Sequence, residues 1–302
     1  MTDTNDIAVW DRFWQTQEGG EAGGCLPDGW RGIEEAQKCA WREFAAVSAT
    51  DSDVLDLATG DGRVLSWIGE LHESARLVGV DSAGSLPPGT ASMQLLAATP
   101  IENLPFEPRS FDLVTSQFGF EYSRVEETAR EIARVLRPDG RAGLLMHRGG
   151  GPILAHNLGR AEAIHWIADS QKLFDRALQA ARAGAQFYQG FIAHCRNAAA
   201  EGATAFGKQS AAWEIAAAIG QAFQMEQRHR SGALRETIEA IAAQAYNELD
   251  RIASLERACA VADDKPRLAK AFAAAGLMVS DSRTVAEEAK PPFATFVTLR
   301  TG

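Results

Sequence analysis

Short apolar runs alternate with amphipathic stretches along the first half of the chain. Strands are predicted at residues 54–58, 76–80, 92–97, 111–116 and 141–147. Helical spacing of apolar residues predicts helices at residues 63–71 and 125–136, and the Arg-Pro-Asp-Gly turn at 137–140 ends the second of them. Strands that alternate with helices in this way indicate an α/β fold with a mostly parallel sheet covered by helices on its faces.

The pattern changes after residue 156. From residue 157 to residue 261 the sequence is rich in alanine and its apolar residues recur at helical spacing. Hardly any pattern typical of a strand remains there. A further helix is predicted at residues 266–275, and strands at 277–285 and 293–299. Because a structureless loop of this length is improbable inside a compact domain, we interpret residues 157–261 as a folded helical insertion between the fifth and sixth strands.

Composition and charge narrow the classes of function. The chain has 302 residues, of which 46% are hydrophobic, and its net charge is −10. This acidity argues against a broad binding surface for nucleic acid or an anionic membrane. No apolar run approaches the roughly 20 residues that span a bilayer, and the N-terminus lacks the basic and apolar regions of a signal peptide. We therefore expect a cytoplasmic protein.

Cysteine and histidine spacing gives no sign of a metal site or a disulfide framework. The four cysteines lie far apart without a Cys-x-x-Cys pair: Cys25, Cys39, Cys195 and Cys259. The histidines form no His-x-x-x-His pair, and no carboxylate cluster stands beside them. We expect no metal ion.

The turn after the first predicted strand, Ala58-Thr-Gly-Asp-Gly62, is the strongest candidate for a nucleotide site. The dinucleotide fingerprint requires a glycine where this chain has Arg63, so NAD fits poorly. A P-loop requires Lys-Ser or Lys-Thr, and neither follows Gly60 or Gly62. Glycines at these positions also allow the backbone to approach an adenosyl-methionine closely, and that ligand has no polyphosphate to hold.

The turn resembles the first motif of class I S-adenosylmethionine-dependent methyltransferases, with Asp56, Ala58, Gly60 and Gly62 in the signature positions. Other landmarks follow in the family's order: an acid at the end of the second strand (Asp81), the Ile-Glu-Asn-Leu-Pro-Phe segment at 101–106, the strand at 111–116 and the Arg-Val-Leu-Arg-Pro-Asp-Gly segment at 134–140. The resemblance covers residues 53–148 and the helix and turn before the sixth strand.

The resemblance implies a Rossmann-like, doubly wound and mostly parallel sheet. Residues 51–156 and 262–302 would form this domain, and residues 157–261 would be a helical cap between strands five and six. Residues 1–50 are rich in tryptophan and contain a Gly- and Pro-rich loop at 19–29. By analogy with the family, they would close over the cofactor.

The resemblance also implies the cofactor and the residues that hold it. S-adenosyl-L-methionine is the expected cofactor, with its ribose diol on Asp81 and its methionine end against backbone at Gln117 and Phe118. Pro100 stands where the family usually has an adenine-binding Asp, so the adenine contacts pass to Ile101 and Glu102. The complete set of expected cofactor-binding residues is Asp56, Ala58, Thr59, Gly60, Gly62, Asp81, Ser82, Ile101, Glu102, Gln117 and Phe118.

His147, at the end of the fifth strand, is the candidate catalytic base, since an imidazole exchanges protons near neutral pH. A histidine that only satisfies its own hydrogen bonds in a strand is the alternative. Glu121 either anchors an amine or caps the helix that follows it. His156 and Arg148 are weaker candidates for the acceptor site. His165 and His194 lie in predicted helices and are expected to be structural.

These features predict methyl transfer to a hydroxyl or amine of a small-molecule acceptor. The alternative is a catalytically silent S-adenosylmethionine-binding subunit that stabilises or activates a partner. A nucleic-acid methyltransferase is disfavoured by the acidity, and because Ser-Gln-Phe-Gly-Phe-Glu-Tyr at 116–122 replaces the Asn/Asp-Pro-Pro-Tyr stretch of DNA amino-methylating enzymes. The aromatic residues of the insertion either line an acceptor pocket or, as helical spacing favours, form a core. Its helices also offer a surface for a homodimer.

Overall fold

The computed structural model describes Trp10, residues 30–90 and residues 92–302. Most of the segment 1–50, including the loop expected at 19–29 and Cys25, lies outside these residues. By its internal contacts the chain divides into two compact units. We call Met1–Leu154 with Ser254–Gly302 the sheet unit, and Ala155–Ala253 the helical unit.

One sheet organises the sheet unit. Its strands lie in the order β3-β2-β1-β4-β5-β7-β6 among the described residues, and strands β1 to β5 are parallel while β7 runs antiparallel to both of its neighbours. The strands are β1 (Asp53–Leu57), β2 (Arg76–Val80), β3 (Met93–Leu96), β4 (Phe111–Gln117), β5 (Leu136–His147), β6 (Leu277–Val285) and β7 (Ala294–Thr301). The predicted Rossmann-like, doubly wound and mostly parallel arrangement is confirmed.

Helices cover both faces of this sheet because β1 is apolar on both sides. Val54 packs into a core with α1 (Arg31–Ala45) and α2 (Arg63–Gly69). Leu55 and Leu57 pack into a second core with α3 (Val125–Val135) and the helix Lys265–Ala274. A strand buried on both faces is expected to show a continuous apolar run, as this one does from Val54 to Leu57 except at Asp56.

Strand β5 begins at Leu136, earlier than the Arg141 start that the sequence predicts. Leu136 pairs with Phe111, and the next pair in the ladder joins Arg141 to Leu113. Residues 137–140 therefore form an irregularity within the strand, which accommodates a proline that cannot donate to the ladder. The predicted helix end at 136 is correct to within one residue.

The segment between β5 and β6 is mostly helical, and its residues Ala155–Ala253 are the helical unit. The helices of this segment are α4 (Pro152–His165), α5 (Leu173–Ala183), α6 (Tyr188–Phe206), α7 (Ala211–His229) and α8 (Leu234–Asp263), and Lys265–Ala274 then follows as α9. In the unit's core the rings of Phe191 and Phe223 lie 4.7 Å apart. None of the helices in the described part of the chain combines the length and apolar character needed to cross a bilayer.

Phe223→Ala is expected to lower the free energy of unfolding by about 3–5 kcal/mol, because it removes a fully buried ring. Met225, on the same helix, is 53% exposed, and Met225→Ala is the matched control with an expected effect within about 0.5 kcal/mol. Urea denaturation followed by circular dichroism measures both variants. Equal losses in the two variants would contradict the packing described for this unit.

Candidate active site

The turn between β1 and α2 has a left-handed backbone at three positions. The φ angles are +52° at Ala58, +54° at Gly60 and +73° at Gly62. A Cβ at Gly62 would also lie 2.8 Å from Sδ of Met93. Glycine is therefore required at this position both by its backbone conformation and by the space around it.

The Asp81 carboxylate fastens this turn to the end of β2. Its Oδ2 accepts a hydrogen bond from the Gly60 backbone N–H at 3.0 Å, and its Oδ1 accepts one from the Ala83 N–H at 3.0 Å. The Thr59 N–H donates to the Val80 carbonyl, also at 3.0 Å. A carboxylate has about four acceptor positions, so these contacts are compatible with the ribose contact that the resemblance implies for Asp81.

Asp56 lies buried beneath the turn, with 1% of its surface exposed. The Thr115 hydroxyl donates to its Oδ1 at 2.7 Å. Burial raises the pKa of Asp56 to about 7, against the lowering effect of this hydrogen bond, and the negative charge of Asp81 raises it further. The carboxyl of the first motif is thus poised to change its charge near neutral pH.

The Gln117 side chain, at the end of β4, is held by α1. Trp41 Nε1–H donates to Gln117 Oε1 at 2.7 Å, and Gln117 Nε2 donates to Gln37 Oε1 at 3.4 Å. The Gln117 amide is thus directed towards α1. For a ligand at the strand end, the backbone is the remaining means of contact at this residue.

Phe118 and Gly119 bring the loop after β4 against the turn after β1. Phe118 has a φ of +54°, and its N–H donates to the Leu145 carbonyl at 2.8 Å. A Cβ at Gly119 would lie 2.4 Å from the Ala58 Cβ, so a larger residue would push the two loops apart. A left-handed backbone is costly for a phenylalanine, and such conformations cluster at functional sites.

His147 and Glu121 form a close pair where β4 and β5 end. Glu121 Oε1 lies 2.8 Å from His147 Nδ1 and also accepts the His147 backbone N–H at 2.8 Å. Exposure is 7% for His147 and 1% for Glu121. The Phe118 ring stacks on the imidazole with ring centroids 4.0 Å apart, and the Tyr122 ring meets it edge-on at 5.8 Å.

Glu121 therefore does not cap the helix that follows it. The residue before α3 is Arg124, whose own side chain makes no capping hydrogen bond, and the Arg124 backbone N–H donates to Glu102 rather than to Glu121. The interpretation of Glu121 as a helix cap is wrong, since its carboxylate turns towards the neighbouring strand instead. The sequence carried one signal for the pair, because Glu121 is the only acid in the stretch 116–122 and parallel neighbours end at the same edge of the sheet.

The segment expected to contact adenine lies between β3 and β4. Ile101 is buried. Glu102 Oε1 accepts the Arg124 backbone N–H at 3.1 Å and lies 3.7 Å from the Arg124 guanidinium. The Glu102 carboxylate is thus engaged at the start of α3. Ser82, beside Asp81, is partly exposed.

Arg148 and His156, the weaker candidates for the acceptor site, lie in different compact units. In the sheet unit, Arg148 Nη1 donates to the Thr295 hydroxyl at 3.0 Å. His156 lies in the helical unit, where burial lowers its pKa. The side chains of His165 and Asp169 meet at 3.0 Å on an exposed surface. Within the described residues no group of three His, Cys, Asp or Glu side chains is arranged to hold a metal ion.

The aromatic residues of the insertion contribute mostly to the core of the helical unit. Phe174, Phe191 and Phe223 are buried, whereas Phe187 and Trp213 are exposed. Trp166 and Tyr188 are partly buried and pack against the same core. Packing in the core of the helical unit therefore explains why these rings are buried, and no acceptor pocket is needed to explain it.

Comparison with known proteins matches part of the chain to a described kind of domain. Residues 55–144 match the model of a methyltransferase domain. The ubiquinone/menaquinone biosynthesis C-methyltransferase UbiE of Geotalea daltonii is 32% identical over 124 residues, which are 35% of this chain and 51% of the relative. The demethylmenaquinone methyltransferase of Thermus thermophilus is 34% identical over 116 residues, 33% of this chain and 51% of the relative.

The chain spans about half the length of the curated relatives it matches. Residues 55–144 are a class I S-adenosylmethionine-dependent methyltransferase domain. The methyltransferase domain contains the turn after β1 and every residue expected to bind the cofactor, from Asp56 to Phe118. His147 lies just beyond its matched end.

Asp56→Asn is expected to remove a pH dependence of stability from the methyltransferase domain. Folding raises the pKa of Asp56 from 3.8 to about 7, so the folded state holds this proton more tightly than the unfolded chain. The contribution of protonated Asp56 to the free energy of unfolding is therefore complete below about pH 4 and is lost as the pH rises through about 7. Relative to the variant, the wild-type free energy of unfolding should fall over this interval, by at most about 1.4 kcal/mol per pH unit.

Urea denaturation at a series of pH values measures this difference. Asp139→Asn, at an exposed position, is the matched control and should follow the wild type. Parallel curves for the wild type and Asp56→Asn would contradict the assignment of a raised pKa to Asp56.

Proposed function

We propose that this chain transfers the methyl group of S-adenosyl-L-methionine to a hydroxyl or amine of a small-molecule acceptor. The observation that carries the proposal is that the glycine turn, Asp81 and His147 lie at the carboxyl ends of β1, β2 and β5, which are parallel strands of one sheet. Ligands of open α/β sheets bind at this edge. The methyltransferase domain match supports the same reaction class.

The charges at the turn fit a sulfonium cofactor better than a polyphosphate nucleotide. Asp61 lies within the turn and pairs with Arg63 at 2.7 Å, and the residues 58–62 contain no lysine. Two further carboxyl groups, Asp56 and Asp81, adjoin the turn. The negative charges of Asp61 and Asp81 raise the pKa of Asp56, so the electrostatic potential at the turn is negative. Phosphates would be repelled by such a site, whereas a cation would be stabilised there.

We assign the parts of the cofactor accordingly. The backbone of residues 58–62 would approach its methionine portion, together with the backbone of Gln117 and Phe118. The Asp81 carboxylate would accept the ribose hydroxyls, and Ile101 would contact adenine. Each contact follows the family resemblance and is compatible with the hydrogen bonds described above.

The chemistry needs little from the protein beyond alignment and a proton acceptor. When bound, the cofactor supplies an activated methyl group, so the main task of the site is to orient the acceptor. A hydroxyl acceptor also loses a proton, and His147 is the residue we propose to receive it. An amine that is already unprotonated does not require this base.

A carbon acceptor is a second candidate because one of the named relatives is a ubiquinone/menaquinone biosynthesis C-methyltransferase. A phenolic ring becomes nucleophilic at carbon when its hydroxyl is deprotonated, so the same base serves both outcomes.

Asp81→Asn is expected to weaken S-adenosylmethionine binding by about ten- to a hundredfold, because hydrogen bonds to a charged group contribute about 1.5–3 kcal/mol. Isothermal titration calorimetry with S-adenosylmethionine and S-adenosylhomocysteine measures the affinity, and Asp139→Asn should bind as the wild type does. If the wild type binds neither compound, the proposed function is wrong.

His147→Ala is expected to lower kcat on a hydroxyl acceptor by about 10²- to 10⁴-fold, the usual contribution of a general base. A panel of hydroxyl, amine and carbon acceptors is assayed by uptake of labelled methyl from S-adenosylmethionine. The exposed His165 provides the control variant His165→Ala, which should keep full activity. Tight cofactor binding without transfer to any acceptor would favour the silent-subunit alternative instead.

A further inference from the structure

The Glu121–His147 pair has features that a merely structural histidine does not need. Both side chains are almost fully buried, and one carboxylate oxygen holds both the imidazole Nδ1 and the backbone N–H of the same residue. The other oxygen, Glu121 Oε2, is buried and has no hydrogen-bond partner in the described part of the chain. A buried carboxylate left half-satisfied is costly, and such groups cluster where function requires them.

We propose that Glu121 is a positioning residue that fixes His147 as the base through Nε2, and that the acceptor is therefore a hydroxyl compound of the phenol or enol type. This inference rests on the proposed methyl transfer. The proposed function allowed either a hydroxyl or an amine acceptor, and the present proposal restricts the acceptor to a phenol or enol hydroxyl.

The tautomer of His147 follows from the donors and acceptors around it. A carboxylate only accepts hydrogen bonds, so beside a carboxylate at Glu121 the 2.8 Å contact places the proton on Nδ1. A neutral imidazole with its proton on Nδ1 has its lone pair on Nε2. In the described structure Nε2 makes no hydrogen bond to another residue, which leaves it available to receive a proton.

Two contacts keep the pair in this arrangement. The His147 backbone N–H donates to Glu121 Oε1, which ties the carboxylate to the strand end as well as to the ring. Phe118 stacks on one face of the imidazole at 4.0 Å with 27° between the ring planes. Together they restrict rotation of the imidazole, so that its proton-accepting nitrogen has one fixed direction.

The carboxylate also suits the charge that develops during transfer. The acceptor oxygen forms a bond to the methyl carbon, the carbon–sulfur bond breaks with its electron pair going to sulfur, and the acceptor proton passes to His147 Nε2. S-adenosylhomocysteine and an imidazolium result. The imidazolium then faces the buried Glu121 carboxylate, which stabilises its positive charge as the equivalent acid does in a catalytic triad.

An unprotonated amine would have no use for this arrangement. Its nitrogen carries a lone pair and can attack the methyl carbon before any proton leaves. A neutral phenol or enol, in contrast, gains greatly from deprotonation during attack. The buried acid–histidine pair therefore points to an acceptor that holds its proton at neutral pH.

The first experiment reads the tautomer without cofactor or acceptor. Nitrogen-15 NMR of the histidine side chains distinguishes the two neutral forms, and His147→Ala identifies the resonance. We expect the proton on Nδ1 in the wild type and a mixture of both forms in Glu121→Gln, whose amide can donate or accept. A wild-type His147 with its proton on Nε2 would overturn the proposal, even if no Glu121 variant folds.

The second experiment measures kcat and KM across a series of phenols of increasing acidity. Glu121→Gln should lower kcat about ten- to a hundredfold on a phenol that is neutral at the assay pH, as part of the 10²–10⁴ that a general base supplies. The loss should shrink for phenols that are already ionised, and KM for S-adenosylmethionine should stay unchanged. A uniform loss across the series would show a structural role only and would overturn the proposal.

Glu126→Gln is the matched control. Glu126 lies on α3 and pairs with Arg267 on an exposed surface, so this variant should keep the wild-type kcat throughout the series. Failure of the wild type to bind S-adenosylmethionine overturns the proposed function. Methyl transfer to an amine with no activity on any phenol or enol leaves that function intact and overturns only the acceptor class inferred here.

Discussion

The hydrogen bond between the Gly60 backbone N–H and the Asp81 carboxylate is the interaction on which the geometry of this site depends. It joins the ends of β1 and β2 at the centre of the sheet, and it holds the turn in a conformation that an ordinary residue avoids. Because the same carboxylate also anchors the start of the next loop at Ala83, one acid orders both segments. The turn is shaped before any ligand arrives, which reduces the entropy that binding must overcome.

Two buried acids near the ends of the neighbouring strands β1 and β4, Asp56 and Glu121, have different hydrogen-bond partners. Asp56 has the Thr115 hydroxyl as a hydrogen-bond donor and no cation, so burial raises its pKa to about 7. Glu121 has a histidine that becomes a cation when it accepts a proton. The pKa of Asp56 therefore lies near neutral pH, whereas the carboxyl group of Glu121 faces a side chain that can become positively charged. The difference lies in the partners, since both acids are almost fully excluded from water.

Local features of the sequence were sufficient to predict the parallel strands, the glycine turn and Asp81. Each of them depends on residues that are close in sequence or on the alternation of strands with helices. The contact between Trp41 and Gln117 joins residues 76 positions apart, and nothing near either residue indicates it. The Glu121–His147 contact spans 26 positions across adjacent strands, and the direction in which the Glu121 side chain turns decides between a helix cap and a base partner. Side-chain direction depends on packing, which a single sequence does not display.

The proposed base, His147, lies three residues beyond the stretch that matches a methyltransferase domain, whereas its partner Glu121 lies within that stretch. The residues that we propose to bind the cofactor, from Asp56 to Phe118, lie within the part of the chain that matches a methyltransferase domain. His147 stands at the last residue of β5, where the chain leaves the shared part and enters the insertion. Its partner Glu121 belongs to the loop after β4, directly after the residues that we assign to the methionine end of the cofactor. The proposed pair therefore joins Glu121, which lies inside the matched residues, to His147, which lies just beyond them.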